Sequence, residues 1–189
     1  MNRITPAQVH AIQLAHADGL LDNAIARRAG VSRSTVKRVR KEHGLATHCV
    51  TAIRGRKGEE KVAEAAILTG LSLEIVWRKR DNDKHDLTIA DQRVDVKASM
   101  QLADGSWKFR LPTIRASNSG QYRYPKDYER DCELLALVCE HPDGREPSIY
   151  LLSSSHLPRT IRIRPGQTYQ DALEAWHLFT PAVPSTLAA

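Results

Sequence analysis

Apolar positions in the first part of the chain recur at helical spacing. Val9, Ile12 and Leu14, with the alanines between them, give one face to a helix that Thr5 caps, Pro6 starts and Gly19 ends. A second helix begins near Asp22 and turns Ile25, Ala26 and Ala29 inward as far as Gly30. In the third, Ser32 is the cap, Val31 anchors the turn, Val36 and Val39 continue the core face, and Gly44 suits a left-handed C-terminal cap. Three short helices with a glycine turn between the last two form a helix-turn-helix pattern. Residues 46–57, "ATHCVTAIRGRK", sustain no period and read as a basic linker.

From residue 58 the pattern becomes mixed. A helix over Gly58–Thr69 puts Val62, Ala65, Ala66 and Ile67 toward a core and stops at Gly70. Residues 71–78 ("LSLEIVWR") predict a strand and 79–84 a loop. Further strands are predicted at "SWKFRLP" (106–112), "PSIYLLS" (147–153) and "TIRIR" (160–164), and "TYQDALEAWHLF" (168–179) predicts a closing helix. The unbroken apolar run "CELLALVC" (132–139) predicts a central strand buried on both faces. Residues 112–130, rich in Ser, Gly, Tyr and Arg, predict a long loop.

The alternation in "HDLTIADQRVDVKAS" (85–99) predicts a hairpin. With the turn at Asp91–Gln92, Thr88 faces Asp95 and Asp86 faces Lys97. Asp86, Thr88, Asp95 and Lys97 then share one face, and Leu87, Ile89, Val94 and Val96 take the core face. Two carboxylates, a backbone carbonyl and water are the donors that Mg²⁺ accepts, and a neighbouring lysine can orient water or neutralise charge on a phosphate. The plainer reading of the same face is a surface hairpin with an Asp–Lys pair.

Composition marks an ordinary soluble globular chain of 189 residues, 41% hydrophobic and 26% charged. No apolar run is long enough to span a bilayer, and the N-terminus lacks the apolar core of a signal peptide. Cys49, Cys132 and Cys139 show no CxxC spacing, so buried thiols in a reducing, cytoplasmic setting are expected, either prokaryotic or phage-encoded within a host cell. The net charge of +6 is unevenly spread: residues 1–58 carry eleven Lys/Arg against three acids, whereas the remainder is slightly acidic. A basic front on a near-neutral body is the electrostatic footprint of a nucleic-acid binder.

If Val31, Val36 and Val39 point inward, Ser32, Arg33, Ser34, Lys37 and Arg38 point outward, with Arg33 and Lys37 suited to guanine edges. Arg40, and Arg54, Arg56 and Lys57 in the linker, suit phosphates. The segment "IARRAGVSRSTVKRVRKEHGL" resembles the helix-turn-helix of resolvases and transposase-type proteins, which implies recognition of double-stranded DNA.

The order of a helix bearing Glu59 and Glu60, a strand, Asp86, and then Asp95-x-Lys97 resembles the PD-(D/E)XK nuclease superfamily. Over about residues 55–155 the chain is most similar to its small members, the archaeal Holliday-junction resolvases and the group I intron homing endonucleases. The resemblance implies a restriction-endonuclease-like α/β fold, a mixed sheet flanked by helices, over residues 58–189, preceded by an all-α DNA-binding domain over 1–45. It makes Asp86 and Asp95 ligands of Mg²⁺ (or Mn²⁺) together with the carbonyl of Val96, and Lys97 the catalytic lysine. For the helix acid, Glu59 matches the family spacing better than Glu60. Two positions depart from the family pattern: His85 stands where a proline precedes the first acid, and Asp95 replaces the commoner Glu.

These readings lead to a metal-dependent site-specific DNA endonuclease of homing, phage or restriction type. One site cuts one strand, so a homodimer or higher homo-oligomer is expected. The alternatives are a junction resolvase and a DNA-binding regulator whose nuclease fold does not cut. Secondary candidates are Ser99 and Gln101 as phosphate or water contacts, His85 as a base, and the Tyr122–Arg130 stretch, which either contacts DNA or folds its tyrosines back onto the sheet.

Overall fold

Thr5 and Gln8 exchange side-chain and backbone hydrogen bonds, a capping box that starts α1 (Pro6–Ala17). Helix α2 (Asp22–Ala29) ends at Gly30, whose φ of +62° is the left-handed conformation that a Cβ would disfavour. Ser32 Oγ then accepts the Thr35 amide hydrogen at 3.1 Å and opens α3 (Arg33–Glu42). Ile12, Ala15, Ile25, Ala26, Ala29, Val36 and Val39 form the core of these three helices. Leu14, expected on the inner face of α1, is half exposed.

The computed structural model describes residues 4–71, 75–78, 83–116 and 123–179. The chain divides into two compact units, Met1–Ile53 and Arg54–Ala189. The expected linker over 46–57 is only partly irregular, because α4 runs from Val50 to Leu68. Arg56 pairs with Glu60 one turn on, which supports the helix, and Arg54 pairs with Glu140 of the sheet.

The second unit is built on a five-stranded sheet in the order β1 (Ile75–Trp77), β2 (Leu87–Ile89), β3 (Gln92–Met100), β7 (Leu134–Glu140), β8 (Ser148–Ser153). Within this sheet only the β3–β7 pair is parallel. Val62, Ala63 and Ala66 of α4 pack on one face against Leu87, Ile89, Val94, Val96, Ala136 and Val138. On the other face a two-stranded sheet, β4 (Trp107–Arg110) with β9 (Thr160–Ile163), lays Trp107, Phe109, Ile161 and Ile163 against Leu135, Leu137 and Cys139. Strand β7 is therefore covered on both sides, which accounts for its unbroken apolar run.

Gly58 brings the α4 backbone close against the sheet. A Cβ built there would lie 2.8 Å from the Ala98 Cβ, a separation that packed carbons do not reach.

Three further expectations are revised. Residues 112–130 are not simply a loop: they contain β5 (Ile114–Ala116) paired with β6 (Arg123–Pro125), then α5 (Tyr128–Asp131). The closing helix over 168–179 is two short 3₁₀ turns, Gln170–Ala172 and Trp176–Leu178. There Glu174 binds Ile149 through both its backbone N–H (to the carbonyl, 2.8 Å) and its carboxylate (to the amide, 3.0 Å), so the segment covers the free edge of β8 and cannot stay helical. Cys132 and Cys139 are buried as expected, with burial pushing their thiols up to about 11 and about 12, but Cys49 is exposed. Among the described residues no helix is long and apolar enough to cross a membrane. Expectations for residues 72–74, 79–82 and Tyr122 lie outside the described residues.

Candidate active site

The hairpin turns at Ala90–Asp91, both with positive φ, the pattern of a two-residue type I′ turn. Leu87 therefore pairs with Val94 and Thr88 with Arg93, a register two residues from the expected one. Because side chains alternate with a period of two, the faces are unchanged: Leu87, Ile89, Val94 and Val96 enter the α4-side core, and Asp95 and Lys97 take the opposite side.

β2 leaves the sheet at Asp86. Its backbone N–H still donates to Val94 O at 2.9 Å, and its Oδ2 accepts the Val96 amide hydrogen at 2.9 Å. The other carboxylate oxygen, Oδ1, lies 2.6 Å from Arg78 Nη1. Arg78 Nη2 reaches Glu59 Oε1 at 3.0 Å, so one guanidinium joins an acid from α4 to an acid at the end of β2. Burial first, and then the Asp86 charge, raise the Glu59 carboxyl above its usual 4.5. Glu60 points away and pairs with Arg56 at 2.8 Å in solvent.

Asp95 is 2% exposed and is gripped by two ammonium groups, Lys97 on Oδ1 and Lys126 on Oδ2. Lys97 Nζ also donates to Val96 O at 3.2 Å. The Tyr128 ring lies beneath both cations, 4.4 Å from Lys126 Nζ and 5.8 Å from Lys97 Nζ at its centroid. Lys126 is brought there by the β5–β6 hairpin, where its backbone N–H donates to Thr113 O at 2.9 Å.

Glu59 and Asp86 thus share Arg78, Asp95 pairs with Lys97 and Lys126, and the hydrogen bond from the Val96 amide to Asp86 links the two groups. Three carboxylates stand against three cations, Arg78, Lys97 and Lys126. Among the described residues no three His, Cys, Asp or Glu side chains converge closely enough to form a metal-binding group.

Arg78 and Lys126 are the partners that sequence reasoning missed. Arg78 ends an apolar strand and Lys126 lies in a stretch read as a loop; only the tertiary pairing brings either one to the acids. Tyr128 folds back into the core, while Tyr124 is exposed. Ser99 and Gln101 are not offered to a phosphate: Ser99 Oγ donates to Lys108 O and Gln101 Nε2 to Gly105 O, bracing the turn into β4. The His85 ring lies 3.2 Å from Thr88 Oγ1.

The residues read as DNA-binding differ in what they are free to do. Arg33 and Ser34 are exposed at the start of α3 and Lys37 is half-buried; Ser32 Oγ is engaged in the cap, and Arg38 pairs with Glu42 at 3.0 Å. Arg40 is corrected. Its side chain is only 11% exposed, forked onto Asp22 at 2.7 and 2.9 Å and donating to Leu45 O at 3.1 Å, so it fastens α3 to α2 instead of meeting phosphate. On α4, Arg54 is tied to Glu140 and Arg56 to Glu60, while Lys57 is exposed.

Three chains among solved structures match this one. One of them is a bacterial homing endonuclease, I-Ssp6803I, at a TM-score of 0.54 and 17% identity, over 68% of this chain and 92% of that one. No family profile and no curated protein matches. The likeness establishes the fold: a mixed α/β arrangement, a five-stranded sheet with flanking helices, similar to that of a homing endonuclease.

Proposed function

We propose that the protein is a Mg²⁺- or Mn²⁺-dependent, site-specific DNA endonuclease of PD-(D/E)XK type, acting on double-stranded DNA as a homodimer or higher homo-oligomer. What supports this reading is that Asp86, joined to Glu59 through Arg78, also accepts the amide hydrogen of Val96, the residue between the paired Asp95 and Lys97, in a fold similar to that of a homing endonuclease. Carboxylate and carbonyl oxygens are the hard donors that these cations take, so Asp86, Asp95 and the Val96 carbonyl fit as ligands, with Glu59 beside them. The bound cation supplies positive charge against the scissile phosphate and makes water acidic enough to attack.

The chain's own residues do the rest. Asp95, pinned by two ammonium groups, is held in one orientation. Lys97, reaching both Asp95 and Val96 O, donates to the attacking water and faces the charge that develops on the phosphate. Arg33 and Ser34 at the exposed start of α3, with Lys37 and Arg38 further along it, read the duplex, and Lys57 adds a phosphate contact.

Supercoiled plasmid incubated with Mg²⁺, or with EDTA, tests the reading: nicking or linearisation must require the cation and disappear in Lys97→Ala. A second reading, a DNA-binding regulator that does not cut, draws on the ion pairs that already engage each carboxylate. Retained DNA binding with no cleavage under any divalent cation selects it. A strong preference for four-way over linear DNA selects a junction resolvase.

A further inference from the structure

Arg78 stands just past β1 with its guanidinium across two acids from different elements, 2.6 Å from Asp86 and 3.0 Å from Glu59. Both acid side chains are 11% exposed, whereas the arginine side chain is 39% exposed. The fork therefore closes the pair from the solvent side. Its main chain is tied down as well, Arg78 N–H donating to Asp86 O at 3.0 Å.

Resting on the nuclease reading above, we propose that Arg78 is an internal counter-ion of the metal site: it holds Glu59 and Asp86 together in the metal-free protein and competes with the divalent cation for their oxygens. Two carboxylates this close repel each other when ionised; the Asp86 charge is among the causes that raise Glu59. A planar guanidinium presents its donors to both in a fixed fork, where an ammonium is a compact point charge on a flexible stem. A divalent cation drawing on Asp86 and Glu59 needs oxygens that the guanidinium occupies, so Arg78 must release at least one of them. Arg78 is a positioning residue in this scheme, and it makes stability and metal affinity move in opposite directions. An arginine with only a structural role makes them fall together.

The test uses the full chain without DNA. Mn²⁺ is titrated calorimetrically into wild type, Arg78→Gln and Arg78→Lys, and each is melted in EDTA and in Mn²⁺. Arg78→Gln is expected to melt several degrees lower than wild type in EDTA, to regain most of that loss in Mn²⁺, and to bind Mn²⁺ about tenfold more tightly, the gain expected when a competitor that occupies most of the population is removed. Arg78→Lys falls between the two, and it decides the matter if Arg78→Gln does not fold in EDTA. Wild type that binds Mn²⁺ alongside a folded variant that binds it no more tightly overturns this inference alone. Wild type that binds no Mn²⁺ at millimolar concentration overturns the metal reading itself, and this inference with it.

Discussion

Asp86 accepts the amide hydrogen of Val96 through Oδ2 at 2.9 Å, so the carboxylate just before β2 also serves the hydrogen bonding of β3. The acid is therefore both a proposed ligand and a backbone cap. Its two tasks separate by substitution. Asp86→Asn keeps an acceptor for the Val96 amide but loses the charge; Asp86→Ala leaves a buried N–H without its partner, at a cost of about 1–3 kcal/mol. Both are expected to lose metal-dependent cleavage, with Ala well below Asn in thermal stability. Equal melting temperatures for the two variants contradict the capping role.

Glu59 and Glu60 are neighbours with opposite surroundings, since successive helix residues differ by about 100°. Glu59→Gln is expected to remove most cleavage. Glu60→Gln costs only an exposed pair with Arg56, about 0.3–0.5 kcal/mol, and leaves cleavage near wild type. The pH dependence carries a sign. Burial and Asp86 raise the folded-state pKa of Glu59 above 4.5, so the folded protein holds that proton more tightly than the unfolded chain does. Its contribution to stability is greatest at low pH and declines as pH rises from 4.5 through the raised value. Melts across that window must show wild type losing ground to Glu59→Gln as pH increases; a difference independent of pH removes the basis for the shift.

What the sequence made legible was mostly local. The Thr5 and Ser32 caps, the Gly30 turn and the two faces of the hairpin follow from short-range rules that the structure obeys. The hairpin register did not, because Ala90 and Asp91 both adopt positive φ without the Asn-Gly pair that would announce it. The misread closing segment has helical spacing in Ala172, Trp176 and Phe179, but the open edge of β8 claims Glu174 and overrides local preference. Arg78 and Lys126 were beyond local rules altogether. Each meets its acid only after β1 pairs with β2, or after the β5–β6 hairpin closes.

Gly58 tests how closely α4 must sit for Glu59 to reach the site. Gly58→Ala gains helix propensity of about 1 kcal/mol. It also drives a methyl group into Ala98, 2.8 Å away, an overlap expected to cost about 1–3 kcal/mol. The net prediction is a less stable protein with α4 displaced and cleavage reduced. Ala98→Gly on the facing strand should restore both when combined with it. A double variant no better than Gly58→Ala, judged by melting temperature and by nicking rate, places the strain elsewhere.

Arg40 and Arg33 lie two turns apart on α3 and are expected to fail in different ways. Arg40 is bound to Asp22 and Leu45 O in a nearly buried position, so Arg40→Ala should lower stability by about 2 kcal/mol, the scale of hydrogen bonds to a charged group. At temperatures where the variant is folded, its DNA affinity should show the same dependence on salt as wild type, because Arg40 meets no phosphate. Arg33 is exposed, so Arg33→Ala should leave the melting temperature unchanged and weaken DNA binding instead. If Arg33 pairs with a guanine, its removal relaxes one base position by about 1–3 kcal/mol. If it pairs with a phosphate, its removal weakens binding to all sequences and reduces the salt slope by about one. Affinities for a selected target at several salt concentrations, beside melts of the same two variants, separate these outcomes. A flattened salt dependence in Arg40→Ala with unchanged stability would return Arg40 to the DNA-binding face.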